Sequence, residues 1–268
     1  MPFFADQTGR HIQLQAPARR IVSLVPSLTN TLHQLGLEEE VVGITRFCVH
    51  PDSWYRSKIR IGGTKDVHID QVLQLQPDLV LANKEENVKE QIDALSLQVP
   101  VWTSDICNLT DTFHMIRALG QLTGKTAEAT QLVSGIETAF ASLTALVRRY
   151  RSLYLIWRNP YMAAGGDTFI HQMLQAAGFD NIVAGETRYP TLTGKQIQQL
   201  QPELLLLSSE PYPFKPIHAE ELQQLLPQTR IMLVNGEAFS WYGASLLETP
   251  AYLMQLQKEM KEFDDLKI

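Results

Sequence analysis

Short apolar runs alternate with amphipathic stretches through the first half of the chain. Arg20-Ile21-Val22-Ser23-Leu24-Val25 is rich in β-branched residues and ends at Pro26-Ser27, which predicts a strand followed by a turn. Ser27 is placed to cap the next helix, through Thr31, Leu32 and Leu35, and Gly36 stands where a glycine stops one. Strands are expected over Val41–Ile44, Asp78–Ala82 and Pro100–Thr103. Helices are expected over Ile69–Leu75, Asn87–Leu95 and Leu109–Thr123. This order predicts a mostly parallel sheet covered on both faces.

The pattern then changes. Leu132, Ile136, Ala139, Phe140, Leu143, Leu146, Val147 and Tyr150 recur at three- and four-residue spacing, predicting one long helix over residues 125–150. At 1.5 Å per residue it would span roughly 38 Å, more than a crossover helix needs. Strand and helix signals restart after it, with strands at Leu153–Trp157, Glu203–Leu207 and Arg230–Val234, and helices at Thr168–Ala177, Ala219–Leu226 and Ser245–Phe263. Residues 71–85, QVLQLQPDLVLANKE, return as residues 196–210, QIQQLQPELLLLSSE, with eight of fifteen positions identical. The expected fold is therefore α/β, with two Rossmann-like lobes. The lobes are residues 1–124 and 151–268, joined by a backbone helix over 125–150. In open parallel sheets ligands lie beyond the carboxyl ends of the strands, so the site is expected between two such rims.

Composition narrows the function. Apolar residues make up 44% and charged residues 19% of the 268, as in a globular protein. The net charge of -6, with no basic run, speaks against a nucleic-acid partner. No apolar stretch is long enough to cross a membrane, and Met1–Gln7 lacks the pattern of a secretory signal. An extracytoplasmic location implies a signal removed from this chain; a native start at Met1 would imply a cytoplasmic one. Cys48 and Cys107 do not make a disulfide framework, though a single bridge or a reactive pair stays open.

Four segments together resemble the ABC-importer substrate-binding proteins with a helical interdomain backbone (class III periplasmic binding proteins). They are Arg20–Ser27, Gly62-Gly63-Thr64, Gln76–Ala82 and Asn159-Pro160-Tyr161. The resemblance is nearest to the vitamin B12-binding branch and covers roughly residues 15–265. It implies a monomeric, non-enzymatic carrier that takes a corrinoid and passes it to a dimeric ABC permease in the membrane. Relatives that take iron siderophores, haem or metal ions share the frame. The resemblance also implies one exposed glutamate per lobe docking on permease arginines. Glu85 and Glu210, related by the internal repeat, suit that role, although Glu86 and Glu90 stand near the first and Lys89 occupies a position where some relatives place the glutamate.

Ligand-binding candidates are those at predicted strand ends: Ser27, Thr29, Phe47, His50 and Asn83 in the first lobe, and Trp157, Arg158, Tyr161, Phe239, Trp241 and Tyr242 in the second. Tyr212 and Phe214 follow another second-lobe strand. Aromatic walls with a few polar handles suit a large, flat, partly apolar ligand. His50 could offer an imidazole to the cobalt of a corrinoid or the iron of a haem. No HxH, HxxxH or CxxC spacing supports a protein-held metal, and no cofactor is expected. The chain has no nucleophile elbow, P-loop, zinc-protease helix or full dinucleotide fingerprint. A metal- or corrinoid-handling enzyme or chaperone remains the alternative of another class.

Overall fold

A computed structural model describes residues 3–15, 17–144, 146 and 148–265. The chain divides into two compact units, one of Met1–Glu137 with Tyr242–Ser245, the other of Thr138–Trp241 with Leu246–Ile268.

The first unit opens with a hairpin of β1 (Phe3–Ala5) and β2 (His11–Gln13), too short to register as a hydrophobic pattern. Its main sheet contains β3 (Ile21–Ser23), β4 (Val41–Ile44), β5 (Ile59–Arg60), β6 (Leu79–Asn83) and β7 (Val101–Ser104). They run parallel in the order β5-β4-β3-β6-β7. All five residues of β6 are buried, so the run Leu79-Val80-Leu81-Ala82 is apolar without alternation. Burying each large side chain there stabilises the sheet by about 1.5–3 kcal/mol. Around the sheet lie α1 (Pro26–Gln34), α2 (Asp52–Ser57), α3 (Ile69–Gln74), α4 (Lys89–Ser96) and α5 (Leu109–Thr123). Helix α5 starts where the Asn108 side chain accepts from Asp111 N–H, and stops at Gly124. Ser27 does not cap α1: Val25 is the N-cap, Pro26 takes the first helical position, and Ser27 is buried one residue further in.

The second unit's sheet is built on β8 (Tyr150–Trp157). Beside it lie β9 (Tyr161–Ala163), β10 (Phe179–Asn181), β11 (Thr191–Leu192), β12 (Leu204–Ser208) and β13 (Arg230–Val234). The order is β11-β9-β8-β12-β13, with β10 parallel to the first half of β8. Strands β9 and β11 are antiparallel to their neighbours, so this sheet is mixed. Its core gathers Leu153, Leu155, Ile197, Leu205, Leu207 and Leu222. Helices α7 (Phe169–Ala176), α8 (Gly194–Leu200), α9 (Pro216–Leu225), α10 (Glu237–Ser240) and α11 (Thr249–Asp265) complete it.

The internal repeat is a repeat of structure. Strands β6 and β12 begin and end 125 residues apart. Gln76 and Gln201, also 125 apart, both take positive φ, at 47° and 46°, just before the proline that leads into each strand. Arg20 donates to Leu75 O and Arg151 to the equivalent Leu200 O. Asp78 accepts from Arg20 N–H at 2.9 Å, and Glu203 from Arg151 N–H at 2.9 Å. One arginine and one carboxylate thus fasten the same helix-to-strand corner in each unit.

Helix α6 (Thr126–Ala141) carries the chain from one unit to the other, and it is shorter than the periodicity predicts. At Ser142 the bonding tightens to three-residue turns, with Ser142 N–H and Oγ both donating to Ala139 O. Sixteen residues give about 24 Å rather than 38. The later apolar positions serve other partners. Leu146 packs over Gly178, and Tyr150 opens β8 opposite Phe179. Ala145 and Val147 lie outside the described residues.

Between α7 and β10, half-buried His171 places Nδ1 3.3 Å from Asn181 Nδ2, and burial pushes its pKa down. A lowered histidine pKa means that the unfolded chain binds the proton more readily. Its contribution is complete above the unfolded value near 6.5 and falls as pH drops from there toward the folded value. In urea unfolding at pH 7 and pH 5.5, His171→Gln is expected to lose less stability on acidification than the wild type; equal losses would show that His171 does not report on the fold.

Candidate functional site

The carboxyl ends of the first unit's strands form a polar rim. Ser23 ends β3, and its Oγ receives the Thr29 hydroxyl at 2.8 Å. Thr29 and Thr45 hydroxyls each lie 3.1 Å from the Cys48 sulfur. Burial raises the Cys48 thiol pKa against these bonds, so the thiol stays protonated. Neither Cys48 nor Cys107 is in a disulfide. Asn83 ends β6; its Nδ2 reaches Ser104 Oγ at 3.1 Å, and its Oδ1 accepts Glu85 and Glu86 N–H at 2.9 and 3.0 Å.

Tyr242 joins this rim from far along the sequence. It is buried, beside the hydroxyls of Ser27 and Ser104. Its pKa is pushed well up, first by burial and then by the Glu86 carboxylate, against the effect of those two hydroxyls. Ser27, Thr29 and Asn83 are all buried, and the side chains of Thr29 and Asn83 are hydrogen-bonded into the rim. Their polar atoms sit where strand ends leave backbone groups to be satisfied. Phe47 and His50 are exposed, and Arg46 lies over the Phe47 ring at 5.2 Å.

In the second unit, β8 ends on Trp157, 40% exposed, with its ring edge-on to Tyr212 at 5.6 Å. Tyr212 meets Phe214 at 4.9 Å and His218 at 5.5 Å. Arg158 sits at the same edge. Its guanidinium is held charged first by its bond to Tyr212, then by the Glu221 carboxylate and Tyr161. Trp157, Arg158, Tyr161 and Tyr212 make one aromatic edge with a cation in it. Phe239 does not belong to it. Its ring is 0% exposed, packed at 4.9 Å on Tyr154 and 6.4 Å on Tyr252, because the single-turn helix α10 turns it into the core. Trp241 is buried too, and its Nε1 donates to Glu210 Oε1 at 2.9 Å.

Glu85 and Glu210 each stand two residues past the end of a repeat-related strand. Asn83 Oδ1 accepts Glu85 N–H at 2.9 Å, and Ser208 Oγ accepts Glu210 N–H at 3.3 Å. Asn and Ser are the residue types that shape such turns, so the same corner presents both glutamates. Sequence reading did not single out Ser104, His218 or Ser240 as site residues. Ser104 follows a predicted strand directly and could have been found that way; His218 and Ser240 carry no local signal. Among the described residues no three His, Cys, Asp or Glu side chains gather to hold a metal ion, and no helix is long and apolar enough to cross a membrane.

Comparison with known proteins gives these units a family. An uncharacterized ABC transporter substrate-binding lipoprotein of Bacillus subtilis is 26% identical over 213 residues, 75% of this chain and 67% of the relative. A vitamin B12-binding protein of Yersinia pestis is 22% identical over 243 residues, 89% of this chain and 86% of that one. The solved periplasmic heme-binding protein of Roseiflexus shares the fold at a TM-score of 0.76 and 22% identity, over 90% of this chain and 97% of its own. The family model described as "Periplasmic binding protein" matches residues 21–228, and the chain belongs to that family.

Proposed function

We propose that this protein is the solute-binding component of an ABC importer, that it works outside the cytoplasm as a monomer, and that its ligand is a corrinoid. The family is a substrate-binding component of transport rather than an enzyme family. The relatives named for ABC transport and for vitamin B12 support the importer and ligand readings. The observation that carries the ligand reading is the aromatic edge of Trp157, Tyr161 and Tyr212 around the Arg158 cation. An exposed indole flanked by phenols offers a flat macrocycle a stacking face, and hydroxyl and guanidinium donors meet its amide arms. In this reading α6 is the backbone between units, and Glu85 and Glu210 meet permease arginines through bidentate, charge-assisted bonds.

Haem is the second reading. Arg158 suits its carboxylates, and exposed His50 offers an axial imidazole. Calorimetry against cyanocobalamin, haem and a ferric siderophore separates the cases. Cyanocobalamin is expected to bind, and Trp157→Ala to weaken it roughly tenfold, as loss of one stacked aromatic does. Heat with haem alone would replace the corrinoid by haem, and unchanged affinity in Trp157→Ala would remove the aromatic edge from the site.

A further inference from the structure

Helix α9 brings two side chains to the aromatic edge. His218 and Glu221 lie three residues apart and so share a face, while Leu222 turns into the core. His218 packs on the Tyr212 ring at 5.5 Å. One turn further on, the Glu221 carboxylate accepts from Arg158 Nη2. The same guanidinium is bonded to Tyr212 and Tyr161. Its Nε is buried and has no partner among the described residues, so an arriving ligand meets the Nη side, where Glu221 already sits. The Arg158 side chain is 23% exposed and that of Glu221 46%, open enough for a ligand to reach both. A macrocycle stacked on Trp157, whose ring meets Tyr212, would cover this pair and strip water from it, which strengthens every charge interaction there.

We infer that Glu221 is the specificity-determining residue of this edge: by holding Arg158 it admits macrocycles with uncharged amide arms and turns away those with carboxylate arms. The inference rests on the reading that the edge holds the ligand. An amide oxygen accepts from the guanidinium donors that Glu221 leaves, and it brings no charge. A ligand carboxylate arrives beside a carboxylate already in place, and must displace it or bear like-charge repulsion. Haem, whose carboxylates Arg158 would otherwise suit, is disfavoured by this one residue, and a corrinoid is not. All the groups involved, on β8, β9, the Tyr212 turn and α9, belong to the second unit.

The test reads a preference rather than an affinity. Calorimetry on the full chain compares cyanocobalamin with its monocarboxylic acids, in which one amide arm is hydrolysed to a carboxylate. The wild type is expected to favour the amide form over at least one of these acids by about tenfold, and Glu221→Gln to erase that preference. Glutamine keeps the length and the carbonyl acceptor and removes only the charge. Glu220→Gln, which makes the same change in net charge from the neighbouring helix position, is expected to keep the preference. Should haem bind in place of the corrinoid, haem and its dimethyl ester read the same preference, with the uncharged ester favoured by the wild type and not by Glu221→Gln. A preference that is absent from the wild type, unchanged in Glu221→Gln, or equally lost in Glu220→Gln overturns the inference and leaves the aromatic edge as the site. Binding of neither macrocycle, or binding untouched by Trp157→Ala, removes the edge from the site and the inference with it.

Discussion

Replacing Glu85 by alanine and Glu210 by glutamine together is expected to abolish stimulation of the reconstituted importer's ATPase, while cyanocobalamin affinity stays within about threefold of wild type. Each carboxylate is proposed to meet an arginine at the permease surface. Removing one partner of a buried, hydrogen-bonded charge pair costs about 2–5 kcal/mol, much of it from the charge left without its partner. Two such losses weaken docking by at least about a thousandfold. Glutamine is the better substitution at 210, because alanine would also strip the acceptor that Ser240 and Trp241 use. At 85 the turn is made by Asn83 accepting the backbone N–H, so alanine leaves it intact. Each single variant should keep a weakened, titratable stimulation. Full stimulation by the double variant would place the docking surface elsewhere, and a collapse of ligand affinity would place these glutamates in ligand binding.

How much of this was legible in the sequence depends on the range over which each feature acts. The run Leu79–Ala82 and its counterpart Leu204–Leu207 are buried on both faces, so local composition reveals both strands and their offset. The same local reading overextends α6. Leu146 and Tyr150 keep helical spacing, yet they pack on Gly178 and Phe179, which the window around residue 146 does not contain. The site behaves likewise. Trp157 and Arg158 were singled out because one ends an apolar strand and the other directly follows it. Phe239 follows a strand as well, but α10 intervenes and directs its ring inward. Tyr242 was singled out for its neighbours in sequence, whereas its surroundings come from Ser27, Ser104 and Thr31, well over a hundred residues earlier. Spacing within one element shows which face is apolar; it does not show which distant element covers that face.

That long-range attachment gives a single added methyl group a large expected effect on stability. Gly243 has φ +88°, and a Cβ there would stand 2.0 Å from Thr31 Oγ1 and 3.3 Å from Thr31 Cβ. Thr31 cannot turn away without loss, because its hydroxyl donates to Ser27 O at 2.8 Å and accepts from Ala244 N–H at 3.1 Å. An alanine at 243 therefore meets two penalties: left-handed backbone at about 1–2 kcal/mol and overpacking at about 1–3 kcal/mol. Gly243→Ala is expected to lose about 3 kcal/mol in urea unfolding followed by circular dichroism. Gly185→Ala is the matched control. Nothing lies within 4 Å of its added Cβ and its φ is not in the left-handed region, so it should stay within about 0.5 kcal/mol of wild type. Adding Thr31→Ala to Gly243→Ala relieves the overpacking but not the backbone strain, so it should recover part of the loss and no more. Gly243→Ala as stable as Gly185→Ala would mean that the segment Tyr242–Ser245 does not press on α1, and that Tyr242 reaches the first unit's rim without being fastened to it.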